Sequence, residues 1–131
     1  MKLYFRTELG YLIKKDDLNS GNYQPEDTSI RGLVERTGKD LTEVLIFHLY
    51  AYDDIFSCFV HRQLLHGHES LGGLLTSAGY ITVPSHDKKT PGSQKYFRGG
   101  YTVQTYGSKD GGEVDAIQIE VQSEIRYLAH Q

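Results

Sequence analysis

The residues best suited to chemistry lie in the stretch Tyr96 to Glu120, YFRGGYTVQTYGSKDGGEVDAIQIE. Its last part alternates. Ala116, Gln118 and Glu120 fall on one face of a strand, and Ile117, Ile119 and Val121 on the other. Three apolar side chains in a row predict a buried face, so Gln118 and Glu120 point away from it. A carboxylate late on a strand, beside a loop with Gly107, Gly111 and Gly112, is where open α/β sheets place their ligands. Such a group can take a proton from an attacking water. The plainer reading is a solvated residue on a half-exposed strand.

The second candidate is a histidine cluster. His61, His66 and His68 with Glu69 read H-x-x-x-x-H-G-H-E. Imidazoles and a carboxylate this close suit Zn²⁺ or Ni²⁺. The spacing matches neither H-E-x-x-H on a helix nor a paired finger site. Gly67 marks a turn, so a surface loop is expected. His48 sits on an apolar helical stripe and reads as a hydrogen-bonded core histidine. Cys58 is the only cysteine, which excludes an internal disulfide and leaves no basis for a cysteine zinc site. No activating base lies beside it, so a small buried side chain is expected.

Three stretches resemble the N-formylglutamate amidohydrolase-like family, metal-dependent hydrolases related in fold to zinc carboxypeptidases. They are Glu8 to Ile13 (ELGYLI), Ser70 to Ser85 (SLGGLLTSAGYITVPS) and Gly99 to Glu120 (GGYTVQTYGSKDGGEVDAIQIE). The likeness covers roughly residues 8–33 and 70–126. It implies zinc, an N-acyl amino acid substrate such as N-formylglutamate, and metal-assisted hydrolysis of its amide. It also implies that Glu120 is the general base. Arg98, Tyr101, Tyr106, Ser108 and Gln118 would line the substrate pocket, with Arg98 or Arg126 pairing with a substrate carboxylate. The family's metal ligands lie N-terminal to the ELGY segment, and Met1 to Thr7 hold no histidine. Residues 1–131 are therefore expected to form one domain corresponding to the family's C-terminal portion. It is either an amidohydrolase or a non-catalytic binding, interaction or matrix protein descended from that fold.

The elements that must position these residues follow from patterning. Strands are expected near 3–9, 80–83, 101–106 and 114–121, and helices near 29–37, 41–50, 54–65 and 70–78. Residues 14–28, KKDDLNSGNYQPEDT, read as a surface loop. Phe56, Phe59, Val60 and Leu64 form one helical stripe, and Leu71, Leu74 and Leu75 another. Ser70 or Glu69 starts the second, and Gly79 ends it. The fold class is α/β, a mixed sheet flanked by helices, as in the C-terminal part of a zinc-carboxypeptidase-like domain.

Composition narrows the partners. With 131 residues the chain fits one core. Fourteen Lys and Arg are scattered among seventeen Asp and Glu, giving a net charge of −3, which supplies no electrostatic reason for nucleic acid. No apolar run approaches the roughly 20 residues of a membrane span. Arg6, Thr7 and Glu8 interrupt the N-terminal apolar residues too early for a signal-peptide core. The expected partner is a small-molecule amide.

Overall fold

A computed structural model describes residues 6–37 and 53–121. At its centre is a short strand, β1 (Thr7–Gly10). β2 (Thr82–Val83) pairs parallel with it, and β3 (Gln118–Glu120) pairs antiparallel on the other edge, in the order β2-β1-β3. The mixed α/β sheet matches the expectation. β2 and β3 are shorter than expected, residues 3–5 of the expected first strand lie outside the described residues, and the register puts Glu8 opposite Glu120 and Gly10 opposite Gln118.

Helices surround the sheet: α1 (Lys15–Ser20), α2 (31–37), α3 (Asp53–His66), α4 (Leu71–Ser77) and α5 (Tyr101–Tyr106). Leu9, Tyr11, Leu18, Ile30, Val34, Val60 and Leu65 form the core. The core thus draws on β1, α1, α2 and α3. The Ser70 hydroxyl caps α4 by accepting from the Gly73 N–H at 3.0 Å, as its sequence predicts. No helix among the described residues is long and apolar enough to cross a membrane.

Four expectations change. Residues 101–106 are helix, not strand. The run YTVQTY is rich in β-formers, but only Val103 is buried, and Tyr101 is 78% exposed. A strand would need a whole buried face. With one anchor, the segment closes as a single helical stretch whose Gly107 N–H reaches the Val103 carbonyl at 2.9 Å. Second, the polar stretch 14–28 contains α1 and a 3₁₀ turn, Pro25–Asp27. Leu18 anchors α1 in the core, and Asp16 and Asp17 suit its first turn. Third, Leu74 is 58% exposed, while Leu71 and Leu75 pack on the core. Fourth, Ile119 is 46% exposed, so the apolar face of β3 is not buried as a whole, although Ile117 packs on the core. The expected helix 41–50, His48 and Arg126 lie outside the described residues, as does the side chain of Cys58.

Candidate functional site

Two regions hold the chemistry-bearing residues. The first is the sheet face that carries Glu8, Gln118 and Glu120. Alternation puts Gln118 and Glu120 on one side of β3, and the register adds Glu8. Residues 97–100 run along this face. The Phe97 N–H donates to Glu8 Oε2 at 3.0 Å, and the Leu12 N–H donates to the Arg98 carbonyl at 2.7 Å. Gly10 is needed here, because a Cβ would sit 2.5 Å from the Arg98 carbonyl carbon and oxygen. Gln118 Oε1 lies 3.9 Å from where Gly100 would carry its Cβ. The backbone strip therefore lies directly beside Gln118.

Glu8 is spoken for. Arg6 Nε and Nη2 donate to its Oε1 at 3.1 and 2.9 Å, in a largely buried pair. Arg6 Nη2 also donates to the Lys95 carbonyl at 2.6 Å. Glu120 is exposed and, among the described residues, has no ion-pair partner. Of the residues predicted for the site, Gln118 and Glu120 thus share one sheet face, and the Arg98 backbone runs along it. Tyr101 follows directly on α5, exposed, and Tyr106 is exposed at the other end of that helix.

Ser108 lies elsewhere and is fully buried. Its hydroxyl donates to Asp115 Oδ1 at 2.7 Å and accepts from the Gly32 N–H at 2.9 Å. It also lies 3.2 Å from the Ser29 carbonyl. This ties the segment after α5 to the start of α2. Burial raises the Asp115 pKa, but the Ser108 hydroxyl, the Leu33 N–H and the Arg36 guanidinium outweigh it and hold the carboxyl below its usual value. Ser108 is therefore a structural link in this arrangement. Glu8 was missed as a member of the sheet-face group. Its signal was present in the ELGY segment, but only strand register reveals its partner.

The second region is a cavity of about 690 Å³ between the C-terminal ends of α1 and α3 and the loop after β2. His61, His66, His68 and His86 all line it, with Tyr23, Arg62 and Lys89. This corrects the surface-loop reading for His61 and His66, which belong to α3, while His68 and Glu69 lie in an exposed turn as expected. His61 belongs to α3 and is 2% exposed. It falls four residues before the core residue Leu65, a spacing visible in the sequence. Tyr23 packs edge-on against His61, with ring centroids 5.5 Å apart, and its hydroxyl lies 2.9 Å from His66 Nε2. His68 and His86 stack at 4.0 Å. Burial first, then the His66, Arg62 and Asp27 charges acting in both directions, lowers the His61 pKa to about 4. Burial and the Lys89 and Arg62 charges lower His66 to about 4 as well. Both rings are neutral at pH 7.

Glu120 does not line this cavity. Among the described residues, no group of three or more His, Cys, Asp or Glu side chains is arranged to hold a metal ion. No family model matches the chain, and no curated protein and no solved structure matches it either.

Proposed function

We propose that this chain is an amidohydrolase-type domain that receives an N-acyl amino acid, such as N-formylglutamate, at the Glu120 face. The reading is carried by the meeting of Gln118, Glu120 and the Arg98–Gly100 strip on one side of the sheet. A three-stranded mixed sheet with flanking helices is compatible with the C-terminal part of a zinc-carboxypeptidase-like domain, and supports the same reading. In the pair of opposed glutamates, Arg6 and the Phe97 N–H engage Glu8, which leaves Glu120 to act on a ligand. Glu120 takes a proton from the water that attacks the amide carbonyl and returns it to the departing amine as the C–N bond breaks. Arg98 supplies a cation for the substrate carboxylate.

Zinc, in the family that the sequence resembles, polarises the carbonyl and acidifies the water. A catalytic zinc takes about three protein ligands. The described donors do not form such a set, so they do not fit this ion. What belongs to this face is proton transfer and substrate binding. The same shortage of donors favours a second reading, recognition of the N-acyl amino acid without turnover.

The test is release of glutamate from N-formylglutamate by the full chain, with and without added zinc. Release that Glu120→Gln lowers by roughly 10²-fold or more supports the hydrolase. Binding without release supports the binding protein. Neither binding nor release overturns both.

A further inference from the structure

We propose that the histidine-lined cavity binds a small organic oxyanion, a phosphate monoester or carboxylate, through Arg62, Lys89 and imidazole N–H groups. This inference does not depend on Glu120 or on the amidohydrolase reading.

Size comes first. About 690 Å³ falls in the range of sites for small organic molecules, roughly 300–1,000 Å³. Charge comes second. The chain as a whole is net negative, yet the cavity is lined by Arg62 and Lys89 and by no Asp or Glu. Two carboxylates close to lining histidines, Asp27 and Asp87, do not line it themselves. Asp27 accepts the Gln24 N–H at 2.9 Å, and Asp87 lies 3.5 Å from His86 Nε2 with its side chain largely in solvent.

Unmet hydrogen-bonding capacity is the third observation. His61 Nε2, His66 Nδ1 and His86 Nδ1 are buried and have no hydrogen-bond partner among the described residues. All three residues line this one cavity, and because these nitrogens have almost no accessible surface of their own, a ligand reaches them only with a small turn of the ring. His61 is almost wholly buried. Native proteins rarely leave such atoms unpaired. In the tautomer in which the Tyr23 hydroxyl donates to His66 Nε2, the ring proton of His66 sits on Nδ1 and is a donor without an acceptor among the described residues. An oxyanion has several acceptor oxygens and pairs well with guanidinium and ammonium groups. Neutral imidazoles can supply N–H donors without the repulsion that two protonated rings would feel. The stacked pair His68 and His86 forms an aromatic wall for the organic part of the ligand. Four histidines also invite a transition metal, but no three of these donors converge on one point.

The experiment titrates the full chain with inorganic phosphate, glycerol phosphate and glutarate by calorimetry, and follows the imidazole resonances by NMR. The expected result is saturable one-to-one binding of at least one of these anions, with shifts at the His61 and His66 rings. Arg62→Gln combined with Lys89→Gln, both exposed positions, should leave the chain folded and weaken binding about tenfold or more. Glycerol phosphate or glutarate as the tighter ligand decides between the phosphate and the carboxylate form. Three results overturn the proposal: no saturable binding to the folded chain, binding indifferent to the double substitution, or stoichiometric zinc binding that excludes every anion.

Discussion

The Glu120 face and the histidine cavity are built on opposite plans. The face is made of sheet register and a backbone strip, and its one buried charge pair is internally satisfied. Its chemical groups stand in the open. The cavity is made where helix ends and a loop meet, and it buries imidazole nitrogens that nothing among the described residues satisfies. The comparison teaches that exposure and chemical readiness are different properties. Glu120 is available because its neighbour Glu8 absorbs the local cation. His61 and His66 are available because burial keeps them neutral and leaves one ring nitrogen of each without a partner among the described residues.

The largest effects should come from the two glycines that set these regions. A Cβ at Gly10 meets the Arg98 backbone, and one at Gly72 meets the Pro84 carbonyl oxygen, which neither can avoid by a rotamer change. Gly10→Ala and Gly72→Ala are each expected to cost about 3 kcal/mol, read by urea unfolding. Gly10→Ala should disturb N-formylglutamate binding first, and Gly72→Ala should disturb anion binding in the cavity first.

Acid should separate the regions next. His61 and His66 bind protons near pH 6.5 when unfolded but only near pH 4 when folded. Between these values the unfolded chain holds more protons, so stability rises with pH there. It is fully present above about pH 6.5 and is lost as pH falls towards 4. For the buried His61 the loss is on the order of 3 kcal/mol. Unfolding curves across this window should show the slope, and His61→Gln should make it shallower. An unchanged slope would break the claim that His61 and His66 are held neutral.

Ser108→Ala removes a hydroxyl that joins Gly32, Asp115 and Ser29, and leaves the buried Gly32 N–H without its acceptor. A loss of about 2 kcal/mol is expected, with N-formylglutamate binding kept in the folded fraction. A selective loss of binding at full stability would instead put Ser108 in the substrate pocket. Smallest is Ser70→Ala, which removes the α4 cap for about 1 kcal/mol and leaves both regions intact.

Much of this was legible in residues. α3 and α4 could be read because the helical spacing of Val60 with Leu64 and of Leu71 with Leu75 agrees with the signals at Ser70 and Gly79, while the side chains of Phe56 and Phe59 lie outside the described residues. The mixed sheet could be read in outline. The short elements could not. α1 hangs on Leu18 alone and α5 on Val103 alone, and contacts distant in sequence decide such segments. Glu120 was visible because alternation is local, whereas its pairing with Glu8 spans the chain. His61 was hidden by its neighbours. Read with His66, Gly67 and His68 it looks like a turn, but read with Val60 and Leu65 it belongs to a buried helix face. His86, which completes the cavity, lies outside the cluster and only folding brings it in.

The most direct measurement is a calorimetric titration of N-formylglutamate into the full chain and into Arg98→Gln, a half-exposed position. The account predicts a saturable event that weakens about tenfold in the variant, separate from any event that moves the His61 and His66 resonances. Equal binding by both proteins, with every saturable event moving those histidines, would contradict the assignment of the substrate to the Glu120 face.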